Sequence, residues 1–101
     1  MSALETYYEI LSVVEDVTGI SAQEILSSNC EESVDARHIL VYVLSVRGFS
    51  DTRISNLIKM TRPGVCMIRN GFKHRVQRYF VNLHFREVCE KVFPDKESVK
   101  V

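Results

Sequence analysis

Five side chains that can bind a ligand together recur at helical spacing near the middle of the chain: Arg62, Cys66, Arg69, Asn70 and Lys73. On an α-helix this spacing places them along one stripe. A guanidinium can pair with guanine, and the other cations can contact phosphate. The stripe therefore predicts a helix that enters the major groove of double-stranded DNA. The alternative is a helical hairpin with an ordinary solvated, charged face.

The neighbouring residues predict the helices that would position this stripe. Ser50 is a favourable N-cap for a short helix, whose apolar positions are Ile54, Leu57 and Ile58. Thr61 can cap a longer second helix, with Pro63 tolerated in its first turn. One apolar stripe runs along this second helix: Val65, Ile68, Phe72, Val76 and Tyr79. A helix pair with a basic second helix, here within residues 48–78, is typical of a helix-turn-helix.

The formal net charge of zero hides a segregation of charge along the chain. Residues 1–36 contain acidic side chains but no lysine or arginine. Residues 37–86 are rich in arginine and lysine, and Asp51 is their only acid. Binding to a polyanion depends on the local field at the contact surface, so this pattern predicts a polyanion-binding half and an acidic half that does not touch the ligand.

The remaining hydrophobic pattern predicts helices only. We expect a helix over 3–18 that ends at Gly19, a short helix that Ser21 and Glu24 open with a capping box, a polar loop over 28–33, and a central helix from Val34 to about Arg47. The apolar pattern continues to Val92, with either a kink near 80–82 or a separate terminal helix that Asn82 could cap.

These patterns predict an all-α, five- to six-helix orthogonal bundle with a helix-turn-helix. Its single domain covers residues 1–93, and a short charged tail, residues 94–101, is expected to be disordered. No apolar run approaches the length of a membrane helix, and no signal peptide is recognisable, so a cytoplasmic protein without membrane contact is expected.

Several local strings resemble one known family. Their positions are Leu26-Ser27 after the short helix, the string Ala36-Arg37-His38-Ile39-Leu40-Val41-Tyr42-Val43, the Ser50–Met60 helix, and the segment Thr61–Met67. Over residues 5–78 this order resembles the C-terminal DNA-binding domain (domain IV) of the bacterial replication initiator DnaA. That family has a Leu-Ser dipeptide, a string like P-R-Q-I-A-M-Y-L, and the signature G-R-D-H-[ST]-T-V. The resemblance implies a Trp-repressor-like helix-turn-helix that binds DNA sequence-specifically in replication or transcription control.

The sequence also departs from the family pattern. Only Arg62 of the signature is retained, and Pro63, Gly64, Val65 and Cys66 replace the side chains that read bases in the family. The loop after Leu26-Ser27 is acidic here, where the family has a basic loop that contacts phosphate. The phosphate-binding motif G-x-x-x-x-G-K-[ST] does not occur, so an ATP-driven initiator is not expected. The alternative is a relative that does not bind DNA and serves as a protein–protein interaction module.

The predicted DNA-binding residues follow from the stripe and the resemblance: Arg37, His38, Arg53, Lys59, Arg62, Arg69, Asn70 and Lys73. The resemblance implies that Arg37 approaches the minor groove; otherwise it would form a surface ion pair with Asp35 or Glu32. His38 would touch phosphate or be an ordinary half-buried histidine. Arg62 is the strongest candidate for reading a base, while Arg53 and Lys59 would contact phosphates.

The same residues give no indication of catalysis. Cys30, Cys66 and Cys89 are too widely spaced for a disulfide framework or a zinc site, and reduced thiols are expected. No carboxylate pair or serine–histidine arrangement predicts an enzyme, and no metal or cofactor is expected. The expected partner is double-stranded DNA. A second protein or a second copy of the chain is the further possibility, through the C-terminal helix.

Overall fold

Six helices form the structure, a computed structural model that describes residues 2–94. They are α1 (Ala3–Thr18), α2 (Ala22–Ser27), α3 (Glu31–Arg47), α4 (Asp51–Ile58), α5 (Arg62–Arg75) and α6 (Tyr79–Val92). No strand occurs between residues 2 and 94. The prediction of an all-α bundle is therefore confirmed. The part of the predicted disordered tail that follows Pro94 lies outside the described residues.

Side-chain caps determine where most of these helices begin. The hydroxyls of Ser2, Ser21, Ser50 and Thr61 each accept a hydrogen bond from the backbone N–H three residues further on. Such caps satisfy N–H groups that have no partner within the helix. Gly19 ends α1 in the left-handed region, with φ of 74°. The predicted starts of α2, α4 and α5 and the predicted end of α1 are confirmed.

The core is built around α3, which contacts every other helix. Its residues Ile39, Leu40, Val41, Val43 and Leu44 are fully buried. On the side facing α5 and α6, the ring of Tyr42 stacks on Phe72 at 4.6 Å between centroids, and Phe85 meets both rings edge-on. This helix is the central one, as its apolar sequence predicts.

Two helix starts differ from the sequence prediction. Helix α3 begins at Glu31 rather than Val34, because Glu31 and Glu32 lie in its first turn, where carboxylates interact favourably with the helix dipole. Helix α6 is the separate terminal helix, but it begins at Tyr79 without a side-chain cap, and Asn82 lies inside it. Since α5 ends at Arg75, Tyr79 does not extend the apolar stripe of α5 and is largely exposed.

The turn between α4 and α5 contains a strained residue. Lys59 has φ of 61° and is the one non-glycine residue with positive φ among residues 2–94. A residue with a side chain costs about 1–2 kcal/mol in the left-handed region, and glycine avoids this cost. Glycine also makes the unfolded chain more flexible, which offsets part of the gain in stability. We expect Lys59→Gly to raise the free energy of unfolding by about 0.5–1 kcal/mol in urea denaturation. Lys59→Ala is the control, because it removes the charge but keeps Cβ; equal stabilisation by both variants would contradict the strain argument.

Candidate nucleic-acid interface

Helices α4 and α5 pack against each other and against α3, joined by the short turn over Lys59–Thr61. Helix α4 buries Ile54 and Ile58, and α5 buries Val65, Ile68 and Phe72. Thr61 caps α5, because Gly64 in the first turn of the helix donates its N–H to the Thr61 hydroxyl at 3.1 Å. A Cβ at position 64 would lie only 3.0 Å from that hydroxyl oxygen. Gly64 therefore accommodates the cap of α5 rather than a ligand.

The outward face of α5 is rotated relative to the predicted stripe. Opposite the buried residues lie four exposed positions one helical turn apart: Pro63, Met67, Asn70 and His74. Cys66 and Arg69, which the sequence places on the outward stripe, are only half exposed and lie toward α4. Met67 is 75% exposed, the highest value among the large hydrophobic residues described. It was not predicted as a site residue, although it lies two positions from buried Val65 and thus nearly opposite to it.

Arg69 is engaged within the protein. Its Nε and Nη2 donate to the two carboxylate oxygens of Asp51, each at 3.0 Å, which ties α5 to the first turn of α4. These hydrogen bonds lower the pKa of the Asp51 carboxyl and raise the pKa of Arg69. Arg69 Nη1 also donates to the side-chain oxygen Oδ1 of Asn70 at 3.3 Å, and the side-chain nitrogen Nδ2 of Asn70 donates to Cys66 Sγ at 3.4 Å. The predicted base contact from Arg69 would require it to leave Asp51.

The other predicted cations of this unit are exposed and have no ion-pair or hydrogen-bond partner for their side chains within residues 2–94. They are Arg53 in α4, Lys59 in the turn, and Arg62 and Lys73 at the two ends of α5. Asp51 is the only acid in residues 51–73, and Arg69 neutralises it. The α4–turn–α5 unit therefore presents positive charge that no ion pair within residues 2–94 compensates.

The basic residues after Lys73 behave differently. Arg75 Nη1 lies 2.5 Å from Asp35 Oδ1, and Arg78 pairs with both Asp35 and Glu31. These carboxylates belong to the first half of α3, so the acidic and basic halves of the sequence meet in space at the C-terminal end of α5. Positive charge at that end is partly neutralised, so the cations of this unit that remain exposed and unpaired within residues 2–94 lie between positions 53 and 73.

Arg37 and His38 lie on α3 and take part in its packing. Arg37 donates from Nε to the Ile25 carbonyl at 2.7 Å and from Nη2 to the Ser28 carbonyl at 2.6 Å, at the C-terminal end of α2. The alternative ion pair of Arg37 with Asp35 or Glu32 is not formed. His38 Nδ1 donates to the Val34 carbonyl at 2.7 Å, and burial lowers the pKa of His38. Its imidazole is neutral at neutral pH and adds no charge for a phosphate.

Comparison with known protein families, with curated proteins and with solved structures found no match. Site assignments for this chain therefore depend on its own geometry.

Among the described residues, no group of three His, Cys, Asp or Glu side chains is arranged to hold a metal ion. The three cysteines are free thiols, and burial raises the pKa of Cys89 to about 11. Within the described range, none of the helices is both long and apolar enough to span a membrane.

Proposed function

We propose that this chain binds double-stranded DNA through the α4–turn–α5 unit, with α5 lying in the major groove. The observation that carries the proposal is the group of exposed, unpaired cations around one outward helix face: Arg53, Lys59, Arg62 and Lys73. A recognition helix that follows a short turn and presents polar side chains outward is the arrangement by which helix-turn-helix proteins dock on DNA. The proposal agrees with the resemblance of residues 5–78 to domain IV of DnaA.

The position of each cation predicts which part of the DNA it would contact. Lys59 and Arg53 lie in the turn and the first helix, which in this docking arrangement run along the phosphate backbone. Arg62 is the first residue of α5 and is exposed, so its guanidinium can reach a guanine edge. Lys73 lies nearly three turns further along α5 and would meet the opposite wall of the groove. The protein would act by occupying its site, as a regulator of replication or transcription.

The test is binding of a random-sequence duplex measured by fluorescence anisotropy at about 50 and 200 mM salt. We expect the wild type to bind more weakly at the higher salt, because neutralised phosphates release counterions. In Arg62→Ala/Lys73→Ala we expect about tenfold weaker binding at low salt and a salt slope reduced by about 1, because Lys73 is the phosphate contact of the two.

The matched control is Arg86→Ala/Lys91→Ala, which removes the same charge from exposed positions on α6. We expect this variant to keep the wild-type affinity within about threefold, because long-range charge effects are largely screened at these salt concentrations. Equal losses in both variants would mean that net charge rather than the α4–turn–α5 unit governs binding. Absence of wild-type binding at low salt would rule out the proposal.

A second candidate function is a contact with another protein chain through α6, and a specific observation favours it. Tyr79 and Phe80 at the start of α6 are 74% and 68% exposed, and their rings meet edge-on at 5.1 Å between centroids. Exposed neighbouring aromatic rings are enriched at protein interfaces. The occupant this face fits is a second copy of the chain, since Phe80 borders a groove of about 340 Å³ beside it and a two-fold pair of copies would place each ring at the other's groove. An apolar contact of this kind would be almost insensitive to the salt change that weakens DNA binding.

A further inference from the structure

The outward face of α5 is formed mostly by uncharged side chains, which the proposed contacts of the cations with DNA leave without a role. Its centre is formed by Met67 and Asn70, which are neighbours on adjacent turns of the helix and are both exposed. The residues before and after them on this face are Pro63 and His74. Pro63 has no side-chain hydrogen-bonding group and cannot read a base by a hydrogen bond. At the middle of this face, the groups that could contact a base are the thioether of Met67 and the side-chain amide of Asn70.

Met67 is an apolar side chain that does not contribute to the core and is available for contact with a ligand. Its side chain is three-quarters exposed, while the core positions of α5 around it are filled by Val65, Ile68 and Phe72. In the major groove the only apolar feature of a base pair is the C5-methyl group of thymine. A flexible, polarisable thioether adapts to such a methyl group without a fixed geometry. Met67 on a groove-facing helix therefore favours thymine.

Asn70 is held in one orientation by its neighbours. Its carbonyl oxygen accepts from Arg69 Nη1 at 3.3 Å, and its amide nitrogen donates to Cys66 Sγ at 3.4 Å. A carboxamide has two donor hydrogens and two acceptor lone pairs, so one of each remains free on the exposed side. One donor and one acceptor side by side match N7 and the N6 amino group of adenine. The two existing hydrogen bonds therefore leave one donor and one acceptor of the Asn70 side chain available to bind adenine.

Arg69 connects this amide to the frame of the helix pair. The bidentate contact with Asp51 fixes the guanidinium, and the remaining Nη1 hydrogen bond fixes Asn70. A side chain positioned in this way loses little conformational entropy when it binds a base. We infer that α5 reads adjacent A·T base pairs in the major groove, with Asn70 on adenine and Met67 on a thymine methyl, and that Arg69 is a positioning residue for Asn70 and not itself a DNA contact.

This inference depends on the proposed function, and its test separates the two. A preferred site is selected from a random duplex library with the wild-type protein, and anisotropy then compares that site, its A·T→G·C variants and random DNA. We expect adjacent A·T pairs in the selected site and about tenfold or greater weakening when either pair is changed to G·C. In Asn70→Ala and Met67→Ala the difference in affinity between the selected site and its A·T→G·C variants should fall to within about threefold, whereas the control Arg86→Ala/Lys91→Ala should keep the wild-type difference.

Asp51→Asn tests the positioning role of Arg69 by a readout that simple loss of structure would not give. The variant removes the carboxylate that fixes Arg69 and also removes a negative charge beside the proposed phosphate contacts. We expect random-DNA affinity to rise by about twofold or more while discrimination between A·T and G·C falls. Circular dichroism melts verify that each variant is folded.

The outcomes are distinct. Salt-sensitive random binding by the wild type, with A·T discrimination unchanged in both Asn70→Ala and Met67→Ala, would overturn this inference and leave the proposed function standing. A selected site without adjacent A·T pairs would do the same. Unchanged discrimination between A·T and G·C in Asp51→Asn would overturn the positioning role, because the orientation of Asn70 would then not depend on the ion pair of Arg69 with Asp51. No binding of any duplex by the wild type at about 50 mM salt would remove both proposals.

Discussion

Phe72→Ala is expected to lower the free energy of unfolding by about 3–5 kcal/mol, a large part of the roughly 5–15 kcal/mol that a typical domain has. Phe72 is fully buried at the point where α5 meets α3 and α6. Its ring stacks on Tyr42 at 4.6 Å and meets Phe85 edge-on at 5.0 Å. Truncation to alanine removes both ring contacts and leaves a cavity that three helices cannot close without moving.

Urea denaturation followed by circular dichroism measures this loss, and Phe80→Ala supplies a matched control. The control makes the same chemical change at a ring that is 68% exposed, so the free energy of unfolding is expected to change by less than about 1 kcal/mol. A similar loss in both variants would mean that Phe80 is covered in solution. A small loss for Phe72→Ala alone would contradict the role of the aromatic cluster in joining α5 to the central helix.

Local sequence signals were sufficient to predict most helix boundaries. Ser21, Ser50 and Thr61 were identifiable as caps because a hydroxyl beside an apolar helical pattern has few other local roles, and each of them caps a helix. Gly19 was identifiable because an L-residue with a side chain is strained in the left-handed region. These signals depend on residues within one turn of each other, so they do not require knowledge of the tertiary structure.

The failures concern side chains whose partners lie far away in the sequence. Asp35 and Arg75 are separated by forty positions and Asp51 and Arg69 by eighteen, so no local pattern predicts either ion pair. Periodicity identified the buried side of α5 correctly, through Val65, Ile68 and Phe72. It did not show that Arg69 turns toward α4.

Met67 was missed for a related reason. Helical periodicity already places Met67 opposite Val65, but an apolar side chain has no charge or hydrogen-bonding group that marks it as a ligand contact, and its 75% exposure is known only from the structure. The start of α3 was placed too late because Glu31 and Glu32 look like loop residues by polarity, whereas acidic residues are favourable in a first helical turn. In each case polarity alone was misleading.

Arg37→Ala is expected to lower the free energy of unfolding by about 2–3 kcal/mol and to change the affinity for random duplex DNA by less than about twofold. The guanidinium donates hydrogen bonds to the carbonyls of Ile25, in the last turn of α2, and of Ser28, its C-cap. Carbonyls at the C-terminal end of a helix have no N–H partner within that helix. Ile25 is fully buried, so its carbonyl cannot easily recruit water once the arginine is gone. Arg37 thereby ties the short α2 to the central helix.

Arg37→Lys distinguishes this structural role from the minor-groove contact that the resemblance to domain IV of DnaA implies. Lysine keeps the positive charge, but its single ammonium group lacks the planar fork that reaches two carbonyls at once. Denaturation should show an intermediate loss of stability for Arg37→Lys, and anisotropy should show wild-type affinity for random DNA. Unchanged stability in Arg37→Ala, together with a tenfold or greater loss of DNA affinity, would instead assign Arg37 to the DNA. Because the two carbonyl contacts use Nε and Nη2, Arg37 could then reach DNA only through Nη1 or by releasing the end of α2.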